Sequence, residues 1–241
     1  MANIKTIFQR EFAAYFNSPI AYIFIIVFLV LNCGLFMTPF FLQGQADLRD
    51  FFGNLPLFLI FFIPALTMRL WAEDKRSGTF ELLMTLPMRS SEVMLGKYLA
   101  AMAFYLVALA GTLPVVIMVN ALGNPDGGVI FSSYLGAILL GALYMAVGIF
   151  ASGLLRDQIS AFILGMVACF LLFLFGVPAV AATIDGWFGG LGGVLQNALG
   201  LMPHFSALSR GVMQLNDLAY FLGLTAVFLV LNNLWLEGRK Y

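Results

Sequence analysis

Ionisable side chains are scarce in this chain, and they gather in one place. Residues 69–97 hold Arg69, Glu73, Asp74, Lys75, Arg76, Glu81, Arg89, Glu92 and Lys97, out of 12 acidic and 12 basic residues in all. Carboxylates and cations interleaved at this density suit contact with one another and with a soluble partner. Nucleotide chemistry is not within their reach. A phosphate-cradling GxxxxGK[ST] loop ending at Gly96-Lys97 would need Gly at 91 and Ser or Thr at 98, where the chain has Ser91 and Tyr98. ATP hydrolysis would therefore belong to another polypeptide, and no cofactor is expected on this chain. His204 could serve as a metal or haem ligand only with companions spaced for coordination, and none accompanies it. It is expected as a polar residue near the outer interface. Cys33 and Cys169, the only cysteines, lie in apolar runs and make neither a disulfide framework nor a CxxC pair.

The elements that position these residues follow from composition. The chain is 62% hydrophobic and 10% charged, with a mean hydropathy of +0.98. A soluble domain would carry about a quarter charged residues, so this is a polytopic membrane protein. About 20 apolar residues cross the hydrocarbon core. The uncharged runs 19–46, 51–68, 98–125, 127–155, 158–184 and 218–236 each reach that scale. They predict an all-α integral membrane domain over 1–241, with spans at about 20–42, 52–71, 95–119, 131–155, 158–182 and 218–236. Pro39, Pro56, Pro64, Pro114 and Pro178 fall within the runs, where neighbouring helices can satisfy the freed carbonyls. Charges inside the spans are almost absent, which argues against an ion-coupled carrier with buried carboxylates. Asp185 and Asp217 sit at helix ends, where they are expected to be solvated or capping.

Ahead of the first span, residues 3–17 place Ile4, Ile7, Phe8, Phe12 and Phe16 roughly on one face, away from Lys5, Gln9 and Arg10. That pattern predicts an amphipathic helix at the interface, or else a helical extension of the first span. The first polar part carries Lys5, Arg10 and Glu11, and the following run shows no small-x-small exit, so the N-terminus is expected to be retained. A seventh apolar candidate, 186–209, carries six Gly plus Gln196, Asn197, Pro203 and His204. Charge bias decides against it. With six spans and both termini inside, Lys5, Arg10, Arg69, Lys75, Arg76, Arg89, Lys97, Arg156, Arg239 and Lys240 share one side, against Arg49 and Arg210 on the other. Residues 186–217 are then an external segment dipping back into the membrane as short helices. Turns are expected at Asn124-Pro125-Asp126-Gly127 and at Arg156-Asp157.

Within the polar stretch, Ser77-Gly78-Thr79 reads as a turn and cap, with Thr79 as N-cap of a short helix over 80–86. Glu81 in its first turn favours the positive helix end, and Pro87 stops it. Ser90 or Ser91 then caps the third span, with Glu92 in its first turn. Phe80, Leu83 and Met84 form an apolar stripe suited to a partner's groove; the alternative is a loop helix resting on lipid headgroups.

These residues carry a resemblance. Glu73-Asp74-Lys75-Arg76-Ser77-Gly78-Thr79-Phe80-Glu81-Leu82-Leu83, then Pro87, Glu92 and Gly96-Lys97, resembles the signature between spans two and three of type 2 exporter (ABC-2) permeases of ABC transporters. Residues 152–158, Ser-Gly-Leu-Leu-Arg-Asp-Gln, resemble that family's tight turn between spans four and five. Pro203-His204-Phe205, with Ser209-Arg210-Gly211-Val212 and Asp217, resembles the outer segment of gliding-motility type permeases, to which the permeases of nitrous-oxide-reductase maturation are related. The resemblance implies a coupling helix at 79–86 seated in a cleft of a separate ATP-binding subunit, with Phe80, Leu82 and Leu83 buried in that partner and Glu81 capping or pairing locally. The N-terminal helix would pack beside it, and Glu73, Asp74 and Arg76 would be polar contacts near the same interface.

Two permease copies, or a related pair, would each take one ATPase in the bacterial inner membrane. An extracytoplasmic accessory protein is a further partner the resemblance admits. The surroundings are membrane lipid, and no nucleic acid is expected. Three functions remain in play. The first is an ATP-driven exporter subunit, and the second a mechanical or maturation component that passes conformational change outward without moving a solute. The third is an intramembrane enzyme using His204 and Arg210, for which the sequence offers too few ionisable groups.

Overall fold

The computed structural model describes residues 2–44, 47–85 and 88–238, all of it helix and short connections with no strand among them. Arg239 and Lys240, which enter the charge bias, lie outside the described residues. Six helices or helix pairs are long and apolar enough to cross a membrane: Ala21–Leu42, Arg49–Ser77, Ser90–Leu122, Gly127–Leu154, Gln158–Phe175 and Leu215–Glu237. The chain is a multi-pass membrane protein.

Helix α1 (Ala2–Phe16) precedes α2 (Pro19–Gln43), with the break at Asn17-Ser18 where Pro19 disfavours helix before it. Helices α3 (Arg49–Thr67) and α4 (Arg69–Ser77) run on through Met68, whose backbone is itself helical. Helix α5 (Thr79–Thr85) turns away from them. Helix α6 (Ser90–Ala110) is followed after a break at Gly111-Thr112 by α7 (Leu113–Leu122), which Pro114 opens. Helices α8 (Gly127–Leu154) and α9 (Gln158–Phe175) are capped by Asp126, which accepts from Gly128 N at 2.8 Å, and Asp157, which accepts from Ser160 N at 2.8 Å. Helices α10 (Pro178–Phe188), α11 (Leu191–Leu199) and α12 (Met202–Ser209) then lead to α13 (Leu215–Glu237).

Helix α8 is the central pillar: 78% of its apolar stretch is buried, against at most 56% in any other span. Gly141 makes this packing possible. A Cβ there would lie 2.2 Å from the ring of Tyr105, whose hydroxyl donates to Ala137 O at 2.9 Å. Helix α2 joins α3 through Phe24 and Phe28, both edge-on to Phe62 at 5.0 and 5.2 Å. Its other face exposes Ile23, Ile26 and Val30, a surface that water would penalise and lipid accepts.

Helix α1 does more than rest on an interface. Asn3 donates to Glu92 at 3.0 Å, Ile7 lies against Gly96, and Tyr15 stacks on Phe104 at 4.9 Å. All three pairs share one sequence offset, so α1 lies parallel to α6 along its first four turns. The packed face holds Ile7 and Tyr15, while Phe8 stacks on Phe12 and Phe12 meets Phe16 at a tilt, all three half-buried beside it.

The fifth span is shorter than expected, ending at Phe175 instead of near residue 182. Pro178 has no N–H to donate and biases Val177 to extended backbone (φ −83°, ψ 120°), so the chain turns at Gly176. Residues 178–182 therefore open the outer segment. Its longest helix has 11 residues, about 16 Å, roughly half the hydrocarbon thickness. Of the three short helices, α12 is inserted most firmly, burying Phe205 and Leu208 against Gly136 of α8.

Candidate functional site

The polar stretch folds into a corner. Helix α4 ends at Gly78, whose φ of +74° closes the helix in the left-handed region where a side chain is strained. Lys75 and Arg76 occupy the last turn, where cations complement the helix dipole. Thr79 is the first residue of α5 rather than its cap. Its hydroxyl reaches back to Asp74 Oδ1 at 3.1 Å and to Ser77 Oγ at 2.9 Å, so it ties the corner together. Phe80 stands edge-on to Trp71 at 5.9 Å with Lys75 Nζ 5.4 Å from its ring centre.

The side chains expected to enter a partner are thus partly spent at home. Leu83 is already buried in this chain and Phe80 is half-buried, because the short helix folds its apolar side onto α4. Glu73, Arg76, Thr79, Glu81 and Thr85 are exposed, and Glu81 makes no salt bridge among the described residues. Leu86, Pro87 and the side chains of Leu82 and Met84 lie outside the described residues.

Beneath the corner sits Lys97, only 2% exposed. Its ammonium meets Asp74 Oδ2 at 2.8 Å, Glu11 Oε1 at 3.0 Å and Leu70 O at 2.8 Å, and lies 5.2 Å from the Trp71 ring centre. One cation therefore joins α1, α4 and α6. Gly96 brings α1 close enough for this, since a Cβ there would lie 2.7 Å from Ile7 Cγ2. Burial works against ionisation of Glu11, but Lys97 and Arg10 outweigh it and hold its pKa below the usual carboxylate value. Tyr15 donates to Leu66 O at 3.2 Å under the Arg69 guanidinium, 4.3 Å from the ring centre, and burial pushes its phenol upward.

The end of α8 holds the corner from the other side. Ser152 Oγ accepts from Trp71 N at 3.0 Å and Ala72 N at 3.2 Å, and donates to Met68 O at 2.8 Å. Gly153 O accepts from Lys75 Nζ and from Trp235 Nε1 of α13, the latter at 3.1 Å. Ser152→Ala is expected to leave these groups short of partners and to cost about 1–3 kcal/mol. Hydrogen exchange at the Trp71 and Ala72 amides should then speed up by roughly tenfold.

At the other end of the bundle the structure corrects one reading. Asp217 is buried in the first turn of α13, not solvated, and His204 Nδ1 meets its Oδ1 at 2.7 Å. The imidazole stacks on Tyr220 at 4.1 Å, and the Tyr220 hydroxyl donates to Leu199 O at 2.7 Å. The pair pins α12 to α13. Arg210 does not join it, folding back instead onto Ser206 O at 3.0 Å. Asp185 accepts from Gly192 N at 2.6 Å and Gly193 N at 3.2 Å, capping α11 as its position suggested.

Sequence reasoning missed Asn3, Glu11 and Tyr15, and left Lys97 without a role. The signal was the four-residue step Asn3-Ile7-Glu11-Tyr15, which carries polar residues on the very face that packs. A comparison with curated proteins returns no significant match. A family described as ABC-2 type transporter does match, over residues 2–191, from α1 through the start of α11 and so including the whole corner. A match over most of the length, on a chain with six spans and a capped polar corner between the second and third, makes this protein a membrane-spanning permease component of the ABC-2 type transporter family.

Proposed function

We propose that this chain is the permease half of an ATP-driven transporter of a bacterial inner membrane, with both termini and the α4–α5 corner in the cytoplasm. Helix α5 receives the push of a separate ATP-binding subunit, one per permease copy. The observation that carries this reading is how the corner is attached. Lys97 ties it to α1 and α6, and Ser152 with Gly153 ties it to α8 and α13, so displacement of α5 is passed to four other helices. Arg76, Glu81 and Thr85 are the contacts offered outward, while Leu83 anchors the helix from below.

The test is reconstitution with the ATP-binding subunit in vesicles. Glu81→Lys reverses a charge in the first turn of α5 and on the exposed face, and is expected to cut transport several-fold while leaving insertion intact. Unchanged transport would sink the assignment of that face. A second reading is supported by the path through α8, whose Gly136 and Ser133 touch Leu208 and Ser209 O of the outer segment. In that reading the same push moves α10–α12 against an extracytoplasmic partner, as in permeases of the gliding-motility and nitrous-oxide-reductase-maturation kind. Substrate accumulation in sealed vesicles supports the first, and ATP-dependent partner binding without accumulation the second.

A further inference from the structure

A crevice of about 730 Å³ opens between α1, α2, the α3–α4 junction and α6, beside the polar corner but distinct from the exposed face of α5. Its charges balance, but not all of them are paired in salt bridges among the described residues. Lys97 is held by Glu11 and Asp74, and Arg10 by Glu11 at 2.6 Å. Arg69 and Glu73 remain, both lining the crevice and neither in a salt bridge among the described residues. They stand one turn apart on α4, about 6 Å between neighbouring side-chain roots. Toward the membrane interior the crevice meets an apolar slot through the shared side chains of Phe24, Leu66 and Phe104.

The order along this wall is specific. Glu73 is exposed, Arg69 half-buried and Leu66 buried, and Phe62 lines the slot beyond, at helical steps of four, three and four down one face of α3–α4. An aminophospholipid presents the same order: an outermost ammonium, a phosphate two carbons inward, then an acyl chain. We propose that this crevice is a binding site for one phosphatidylethanolamine molecule, with its phosphate on Arg69, its ammonium on Glu73 and its chains leaving past the apolar side chain of Phe24 at the membrane end of the crevice. The guanidinium of Arg69 lies over the Tyr15 ring, 4.3 Å from its centre, and a guanidinium can grip phosphate oxygens in pairs. The carboxylate of Glu73 favours a headgroup that carries an ammonium over one whose only charge is the phosphate. This assignment does not depend on which subunit drives α5.

The full chain, reconstituted in vesicles of equal phosphatidylethanolamine and phosphatidylglycerol, can be re-extracted in mild detergent and its retained lipid counted by mass spectrometry. Wild type should keep phosphatidylethanolamine preferentially. Arg69→Gln should lower retained lipid by about tenfold, the scale of one lost charge-assisted contact. Glu73→Gln should keep lipid but lose the preference between headgroups. Ala65→Phe, which fills the crevice without altering charge, should displace the lipid. Arg69→Lys, which should weaken retention partially, serves if Arg69→Gln fails to insert. Equal retention and equal headgroup ratio across wild type and variants would overturn the proposal. So would displacement of the lipid by free phosphoethanolamine at matched concentration, which would make this a site for a soluble phosphate compound. If Ala65→Phe impairs binding of the ATP-binding subunit but not lipid retention, the crevice is a protein seat and the lipid assignment fails.

Discussion

Lys97→Met is expected to destabilise the protein by about 3–5 kcal/mol, the penalty for removing one partner of a buried ion pair. Met approximates the length of the lysine stem, so the packing against Trp71 survives while the charge goes. What is left behind decides the size of the effect. Glu11 and Asp74 would face each other's negative charge while only partly solvated, and Leu70 O would lose its donor. Helix α1 should detach first, because Glu11 to Lys97 is its salt bridge to α6 among the described residues. Thermal unfolding in detergent should fall by several degrees or more, and proteolysis near Asn17 should accelerate. The triple variant Lys97→Met/Glu11→Gln/Asp74→Asn, which removes all three charges, should recover most of the loss. Unchanged melting in the single variant would refute the role given to Lys97.

The same cluster sets an acid limit. The pKa of Glu11 is lowered by folding, so its contribution to stability is fully present above the usual glutamate value of 4.5 and is lost as pH falls through the lower, folded-state value. Glu11→Gln should flatten this acid-side loss, read as melting temperature against pH.

Gly78→Pro carries the largest expected functional effect. Proline fixes φ near −65°, and the corner needs +74° at this position. The chain cannot make the turn, so Thr79 loses Asp74 and Phe80 leaves Trp71. Helix α5 would then move without dragging α4. In vesicles with the ATP-binding subunit, ATP hydrolysis should continue while transport falls by an order of magnitude or more. Gly78→Ala should show a partial loss, since a left-handed alanine costs about 1–2 kcal/mol. Gly78→Asn, which tolerates that region, should stay near wild type. Transport that survives Gly78→Pro unchanged would sever this corner from coupling.

Much of the architecture is written in local composition. Six apolar stretches, a charge-poor interior and a polar corner closed by Gly78 are legible because hydropathy and turn chemistry act over a few residues. Helix ends were harder. The fifth span stops at Phe175 because Pro178 and the returning Leu201 amide close a corner there, while the apolar composition runs on. Hydropathy averages hide a proline at the end of a run.

The site divides along the same line. Sequence alone marked out the polar stretch where this protein could meet a partner, since that follows from residue types within a few turns of chain. Only the tertiary structure decided which of those residues face outward. Leu83 and Lys97 are consumed within the chain, and Arg76, Glu81 and Thr85 are left outside. Glu11 meets Lys97 across 86 residues, Ser152 meets Trp71 across 81, and His204 meets Asp217 across a change of helix. Such meetings depend on the register in which whole helices pack. That register is set by contacts such as Ile7 on Gly96 and Tyr105 across Gly141, which no local pattern of hydropathy encodes.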